Sequence, residues 1–552
     1  MPGYDLKSLN LPKIIGRALP AAARVLETPL AGPLALRKLL ADAGVTAWRD
    51  LATDHPPAFT SRSPAPGADD APEPVPLAAP GGAGGFGPYA TAADYTRQYA
   101  QGGPGPEDAA ARALAAIRDS RGLNHFVSVH EEDVMGQARA SAARWAAGRP
   151  LSPLDGVPVA VKDEVDVVGY PTFVGTAFLG KTPAAADATS VARLRAAGAL
   201  ILGKAAMHEI GINPTGQNVH TGAAKNPWDP ARDTGGSSSG PAGAVAAGVC
   251  PVALGADGGG SIRIPAALCG LVGLKPTWGR VSEHGAFPLC WSMAHLGPIA
   301  VSVPDAAAAY LAMAGPDPAD VNTLDQPPPS LGRFGDRDLS GLSVGVYEPW
   351  FSHADPRIVA ACRAGISRLS EAGARIVKVQ VPDLDAQRVA HVVIILAEMA
   401  AAMAKYRAFL RRMAPTVRIN LAVARALLAT DYVHALRWRG AAMEIWRGVF
   451  SQVDALATPA TAITAPLIPP GGDEYGWSDL AAVTELMRFV FPGNLCGLPG
   501  ISFPVGLDEN SLPMGMQLYG PWWREDLILR MADAACEPMP GKPKAYFPVL
   551  EG

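Results

Sequence analysis

The apolar positions of this chain switch repeatedly between a spacing of three to four residues and short unbroken runs, the pattern of helices alternating with buried strands. From Glu107 onward the order is clear. Helical spacing over 111–118 gives way to a strand-like run at 124–129, and helical spacing returns over 133–147. The run Val157-Pro-Val-Ala-Val161 is strand-like and ends on Lys162, and a helix at 190–197 precedes a strand at 199–202. Further on, strands are expected at 343–346 and 374–381 around a helix at 357–372, followed by a long helical stretch from 387 to 450. Residues 454–460, 501–505 and 514–518 read as later strands, the last two joined by a turn at Asp508-Glu509-Asn510, and 524–536 as a closing helix. This alternation predicts an α/β fold with a mixed central sheet covered by helices on both faces.

Residues 1–60 follow a different rule. Leu11, Ile14, Leu19, Leu26, Leu36 and Leu40 recur at roughly helical spacing but are punctuated by Pro12, Pro20, Pro29 and Pro33, so two or three short helices are expected as an N-terminal extension. Arg17, Arg24, Arg37 and Lys38 share the segment, which suits either a membrane-facing surface or simple packing on the main domain. Residues 61–106 are expected to be a Pro/Gly/Ala-rich linker leading into a catalytic domain over 107–545.

Composition narrows the classes. A net charge of −4 gives no basic field to gather nucleic acid. Six cysteines without paired spacing point to reduced, buried thiols in a cytoplasmic protein, with no disulfide framework and no metal site. The N-terminus lacks the layout of a secretory signal, and the longest apolar run, 392–404, is interrupted by Glu398.

The candidate chemistry lies in two clusters of glycine and serine, Thr234-Gly-Gly-Ser-Ser-Ser-Gly240 and Ala256-Asp-Gly-Gly-Gly-Ser-Ile-Arg-Ile-Pro265. Such clusters expose backbone N–H groups to an anion. A phosphate loop would need Gly-Lys-Ser/Thr, and here Ser261 is followed by Ile262 and Arg263. Together with the strand ending in Lys162, the three segments closely resemble those of the amidase signature hydrolases. The resemblance extends over nearly the whole chain and implies that family's fold and no cofactor. It makes Ser261 the nucleophile, Ser237 a bridging serine behind a cis peptide bond, and Lys162 the base. It also assigns an oxyanion hole to the backbone N–H groups of Gly258, Gly259, Gly260 and Ser261, with Ser238, Asp257 and Arg263 in support.

Residues 256–277 and 484–520 and the N-terminal extension are most similar to plant-type fatty acid amide hydrolases. That implies a small-molecule partner, an N-acyl amide with an apolar acyl group; small, aryl and peptide amides are the alternatives. Peripheral membrane contact and a homodimer are further expectations. Two positions depart from the family pattern, Pro241 where serine is usual and Ala256 where threonine is. The apolar residues of 391–450, rich in methionine, are expected to line an adaptable acyl site.

The chemistry sets a condition on Lys162, which can accept a proton only when neutral. Burial must therefore lower its pKa from about 10.4, while Asp163, Glu164 and Asp166 would oppose that if they faced it. Gly236-Ser-Ser238-Ser-Gly240 also fits the nucleophile elbow of another hydrolase class, but that elbow needs an apolar strand before it, and 226–233 reads as a loop. The glutaminase component of a tRNA-dependent amidotransferase and a non-catalytic scaffold complete the alternatives.

Overall fold

The computed structural model describes residues 3–8, 13–61 and 86–550. Most of the expected linker, 62–85, lies outside them, as do Leu11 and Pro12. Eleven strands make one sheet: β1 (Phe126–Ser128), β2 (Pro158–Lys162), β3 (Leu200–Ala205), β4 (Val252–Ala256), β5 (Val272–Lys275), β6 (Leu296–Ala300), β7 (Ser343–Val346), β8 (Arg375–Lys378), β9 (Ala455–Pro459), β10 (Gly500–Leu507) and β11 (Pro513–Tyr519). Their order across the sheet is β8-β7-β9-β11-β10-β5-β6-β4-β2-β3-β1. Pairing is parallel where β2 meets β3 and β4 and where β7 meets β8 and β9, and antiparallel elsewhere.

The two faces of the sheet feed different cores. Ala455 and Ala457 join a cluster with the helices Val303–Met313, Pro356–Glu371 and Glu525–Ala535, while Leu456 between them joins one built on Leu384–Met403 and Ala429–Phe450. Alternation along a strand requires this split.

Three central strands, β4, β5 and β6, have no counterpart in the apolar pattern. Their sequences, Val-Ala-Leu-Gly-Ala, Val-Gly-Leu-Lys and Leu-Gly-Pro-Ile-Ala, are poor in the β-branched and aromatic residues that mark a strand. Close packing explains the small residues. A Cβ at Gly273 would come within 2.7 Å of the Ala266 side chain, so glycine lets the helix Arg263–Cys269 lie directly on β5.

The long helical stretch expected over 387–450 is built of four pieces, Leu384–Met403, a tighter turn Ala404–Arg412, Pro415–Arg425 and Ala429–Phe450. Pro415 opens the third, where its missing N–H costs nothing. Residues 384–412 have the length and composition to cross a membrane, but half of the most apolar window is buried within the protein. Glu398 inside it accepts from the Ser292 hydroxyl at 2.5 Å and from Tyr432 at 3.1 Å.

The N-terminal helices Ala18–Leu26, Gly32–Asp42 and Val45–Trp48 cover this helical layer. Val45 and Trp48 enter the same core as Val389 and Trp446, and Ile14–Ile15 pairs antiparallel with Trp477–Ser478. Arg49 grips Asp431 through two bonds of 2.8 and 2.7 Å, and Arg418 grips Glu27 at 2.8 and 2.6 Å. A further helix, Ala92–Ala100, buries Tyr95 and Tyr99, and Tyr99 donates to the Gly156 carbonyl at 2.9 Å.

Candidate active site

Parallel strands β2 and β4 end at the same edge of the sheet, one on Lys162 and the other on Ala256. Lys162 is 1% exposed. Its Nζ lies 2.9 Å from Ser237 Oγ, 3.2 Å from the Ala256 carbonyl oxygen and 3.3 Å from Glu164 Oε1. Burial lowers the lysine pKa below its ordinary 10.5, and the opposing pull of Glu164, then of Asp257 and Cys290, does not restore it. The other two nearby carboxylates are turned elsewhere. Asp163 pairs with Lys204 at 3.6 Å, and Asp166 accepts from Thr172 at 2.7 Å.

Ser237 follows a cis peptide bond from Gly236 and precedes the helix Ser239–Ala246, in which Pro241 is accommodated near the start. A Cβ at Gly236 would meet the Thr215 carbonyl oxygen at 2.1 Å, so this turn admits only glycine. The Ser238 hydroxyl donates to the Ala256 carbonyl at 3.1 Å and accepts from the Ala256 N–H at 3.2 Å, which ties the serine turn to the end of β4. The Ser238 N–H donates to the Ser261 carbonyl at 3.3 Å, bringing the two serine segments into register.

Ser261 sits 7% exposed after three glycines. The loop before it is folded around Asp257, whose carboxylate accepts from the N–H of Gly260 at 2.6 Å, from that of Ile262 at 3.1 Å and from Arg263 at 3.0 and 3.1 Å. Burial pushes the Asp257 carboxyl up, but Arg263 and Lys275 outweigh it and hold the group far below the usual carboxylate range. One of the four expected loop donors is already engaged. Gly260 spends its N–H on Asp257, whereas those of Gly258, Gly259 and Ser261 make no hydrogen bond among the described residues.

The structure also brings in residues the sequence did not flag. Arg263 uses its remaining donors on Gln517 Oε1, Tyr519 Oη and Asn494 Oδ1 at 2.9, 2.9 and 2.7 Å, so all five guanidinium N–H groups are satisfied. Asn494 also donates to the Asp257 backbone carbonyl at 2.7 Å. His391 Nε2 meets the Gly258 carbonyl at 3.0 Å, and burial holds that imidazole neutral with a pKa lowered to about 4.

Outside the glycine loop an apolar groove begins. A cavity of about 220 Å³ is lined by His391, Val392, Leu396, Val423, Met487 and Phe491 among others. His391 and Met487 close on Gly259, where a Cβ would come within 2.9 and 3.2 Å of them. A second cavity of about 380 Å³ shares Leu39, Asp42, Ile419, Asn420, Leu480 and Val483 with the first and runs beneath the helices Ala18–Leu26 and Gly32–Asp42. Most of the methionines expected in the lining are elsewhere. Met399, Met403 and Met413 are buried with Phe178 and Ile210 in a separate cluster.

The Amidase family model matches residues 109–529. The chain belongs to the amidase signature family. It is an amidase, a hydrolase of amide carbon–nitrogen bonds in a family that works through a serine nucleophile. It is 34% identical to the fatty acid amide hydrolase of Arabidopsis thaliana, an alignment covering 99% of this chain and 96% of that one. It is 36% identical to a component of the glutamyl-tRNA(Gln) amidotransferase of Roseiflexus castenholzii, covering 77% of this chain and 90% of that one. Among solved structures, the native peptide amidase of Stenotrophomonas maltophilia superposes with a TM-score of 0.69 at 27% identity, covering 81% and 98% of the two chains.

For the amidase the elbow alternative has no support in the geometry. The segment before Ser238 is a polar hairpin, Lys225–Asn226 with Asp229–Asp233, rather than the expected loop, and it is not a strand of the main sheet. The Ser238 hydroxyl is engaged on both sides by Ala256. The missed residues had no local signature. Asn494, Gln517 and Tyr519 lie more than 200 positions from Asp257 and Arg263, and only the buried contact identifies them.

Proposed function

We propose that this amidase hydrolyses an N-acyl amide with a sizeable apolar acyl group, using Ser261 as nucleophile, Ser237 as relay and Lys162 as base. The observation that carries the reading is the buried Lys162 Nζ at 2.9 Å from Ser237 Oγ, with its pKa lowered toward the neutral form. A hydroxyl attacks a carbonyl only as it loses its proton. Ser261 passes that proton to Ser237, which gives its own to Lys162, and the new O–C bond turns the carbonyl into a tetrahedral oxyanion. The N–H groups of Gly258, Gly259 and Ser261 stabilise this oxyanion, each donor contributing about 2.7–4 kcal/mol by the yardstick of removal. The proton then returns through Ser237 to the departing nitrogen, the C–N bond breaks, and water releases the acid from the acyl-enzyme by the same route reversed.

The acyl preference is supported by the groove that starts at Gly259 and continues under the N-terminal helices. The similarity to the Arabidopsis fatty acid amide hydrolase takes in those helices too, whereas the amidotransferase relative aligns with only 77% of the chain. That coverage favours the acyl amide reading over the glutaminase one. Each buried methylene contributes up to about 0.8 kcal/mol, so kcat/KM should climb by a few-fold per carbon along a series of acyl amides of one fixed amine until the groove is full. A profile that peaks at acetyl or propionyl and falls for longer chains would exclude the apolar site.

A further inference from the structure

Three acceptor groups surround Lys162 Nζ, and they are not chemically equivalent. The Ala256 carbonyl and the Glu164 carboxylate only accept hydrogen bonds, whereas the Ser237 hydroxyl can also donate one. A neutral lysine has two N–H donors and one lone pair. Given to Ala256 and Glu164, the two donors leave the lone pair directed at Ser237, the one partner with a proton to transfer.

We propose that Glu164 is a positioning residue for the base: with the Ala256 carbonyl it aims the Lys162 lone pair at Ser237, and its charge sets the pH at which Lys162 becomes able to act. The inference rests on Lys162 being the base. The seat of the carboxylate is built into the fold. Gly211, at φ +78°, lies so close that a Cβ would sit 3.1 Å from Glu164 Oε2 and 3.4 Å from Ser237 Oγ. The Glu164 backbone is pinned through its carbonyl, which accepts from the Phe287 N–H at 2.9 Å.

The other charged and titratable groups facing the pair are accounted for. Lys204 is engaged by Asp163 and by the Thr172 hydroxyl, and Asp257 by Arg263. Glu283 and Cys290 face it from the following loops, where burial raises the pKa of both and favours their neutral forms. His208, its pKa lowered to about 4 by burial, is neutral as well. Glu164 is therefore the carboxylate in direct contact with the lysine, and an opposite charge at that range moves a pKa by about 1 unit or more.

The test is the rate of covalent labelling of the intact enzyme by a fluorophosphonate, followed against pH so that deacylation plays no part. In the wild type the rate rises with pH as Lys162 deprotonates. Glu164→Gln keeps an acceptor oxygen but removes the charge, and should move that rise about 1 pH unit lower with the plateau within a few-fold of wild type. Glu164→Met removes the acceptor too, and should give the same shift with a plateau at least tenfold lower. Should either variant fail to accumulate folded, Glu164→Asp, which withdraws the charge by one methylene, must shift the rise in the same direction by less. An unmoved inflection in folded variants, with only the amplitude reduced, would mean a purely structural Glu164 and overturn the proposal. A flat wild-type profile would instead overturn the lysine base on which it rests.

Discussion

At the scale of the residue, two serines compete for the role of nucleophile. Ser261 carries no side-chain hydrogen bond to a structural partner among the described residues, whereas Ser238 is held on both sides by the Ala256 backbone. Ser261→Ala should therefore abolish hydrolysis with little change in stability, since it removes one hydroxyl from a loop, and Ser238→Ala should cost stability before activity. Paired assays of hydrolysis and thermal unfolding check both outcomes. The ionisation of Lys162 gives a second prediction. Its pKa is lowered by burial, so the neutral, competent form grows as pH rises and is reached below the ordinary lysine value of 10.5. Acylation should accordingly rise with pH and level off at a lower pH than an ordinary lysine would require, and Lys162→Ala should remove the ionisation along with most of the rate. That the two serine segments and Lys162 would come together was legible because their spacing in the chain belongs to a family pattern. That Glu164 is the carboxylate beside Lys162 was not legible, because no sequence says which of three neighbouring carboxylates faces the lysine.

At the scale of the element, the glycine loop 258–260 is held in shape from behind. Asp257 and Arg263 are both fully buried, and their partners Asn494, Gln517 and Tyr519 come from a distant helix and from β11. Arg263→Met would leave Asp257 charged and without its guanidinium, a loss of about 3–5 kcal/mol for a broken buried pair. Urea unfolding should show that loss, and labelling of Ser261 should slow even where the variant is folded. Helices with a clear apolar stripe, such as Pro356–Glu371, and strands rich in branched residues, such as β2, were readable from periodicity. β4, β5 and β6 were not, because their small residues answer to the close approach of helices rather than to strand preference. The break of 384–450 into four pieces likewise turns on local geometry at positions such as Pro415, which the overall helical spacing hides.

At the scale of the whole molecule, the N-terminal helices cover the apolar groove. They are fixed by Trp48 in the core, by the Ile14–Ile15 pairing and by the Arg49–Asp431 and Arg418–Glu27 contacts, and they form one wall of the larger cavity. Removing residues 1–48 should expose that wall and flatten the dependence of kcat/KM on chain length, with short amides affected far less than long ones. Equal loss for all chain lengths would detach the extension from specificity. The helical character of this extension was legible from leucine spacing, but its contact with the groove was not, because that contact joins residues near 20 and 40 to others near 420 and 480.

The proton relay, the oxyanion loop and the groove all presuppose that Ser261 is the residue acylated, and the site of covalent attachment decides this. After reaction with a fluorophosphonate, peptide mapping by mass spectrometry should find one adduct, on Ser261, absent from Ser261→Ala and slowed in Lys162→Ala. An adduct on Ser238, or undiminished labelling of Ser261→Ala, would mean that a different serine attacks.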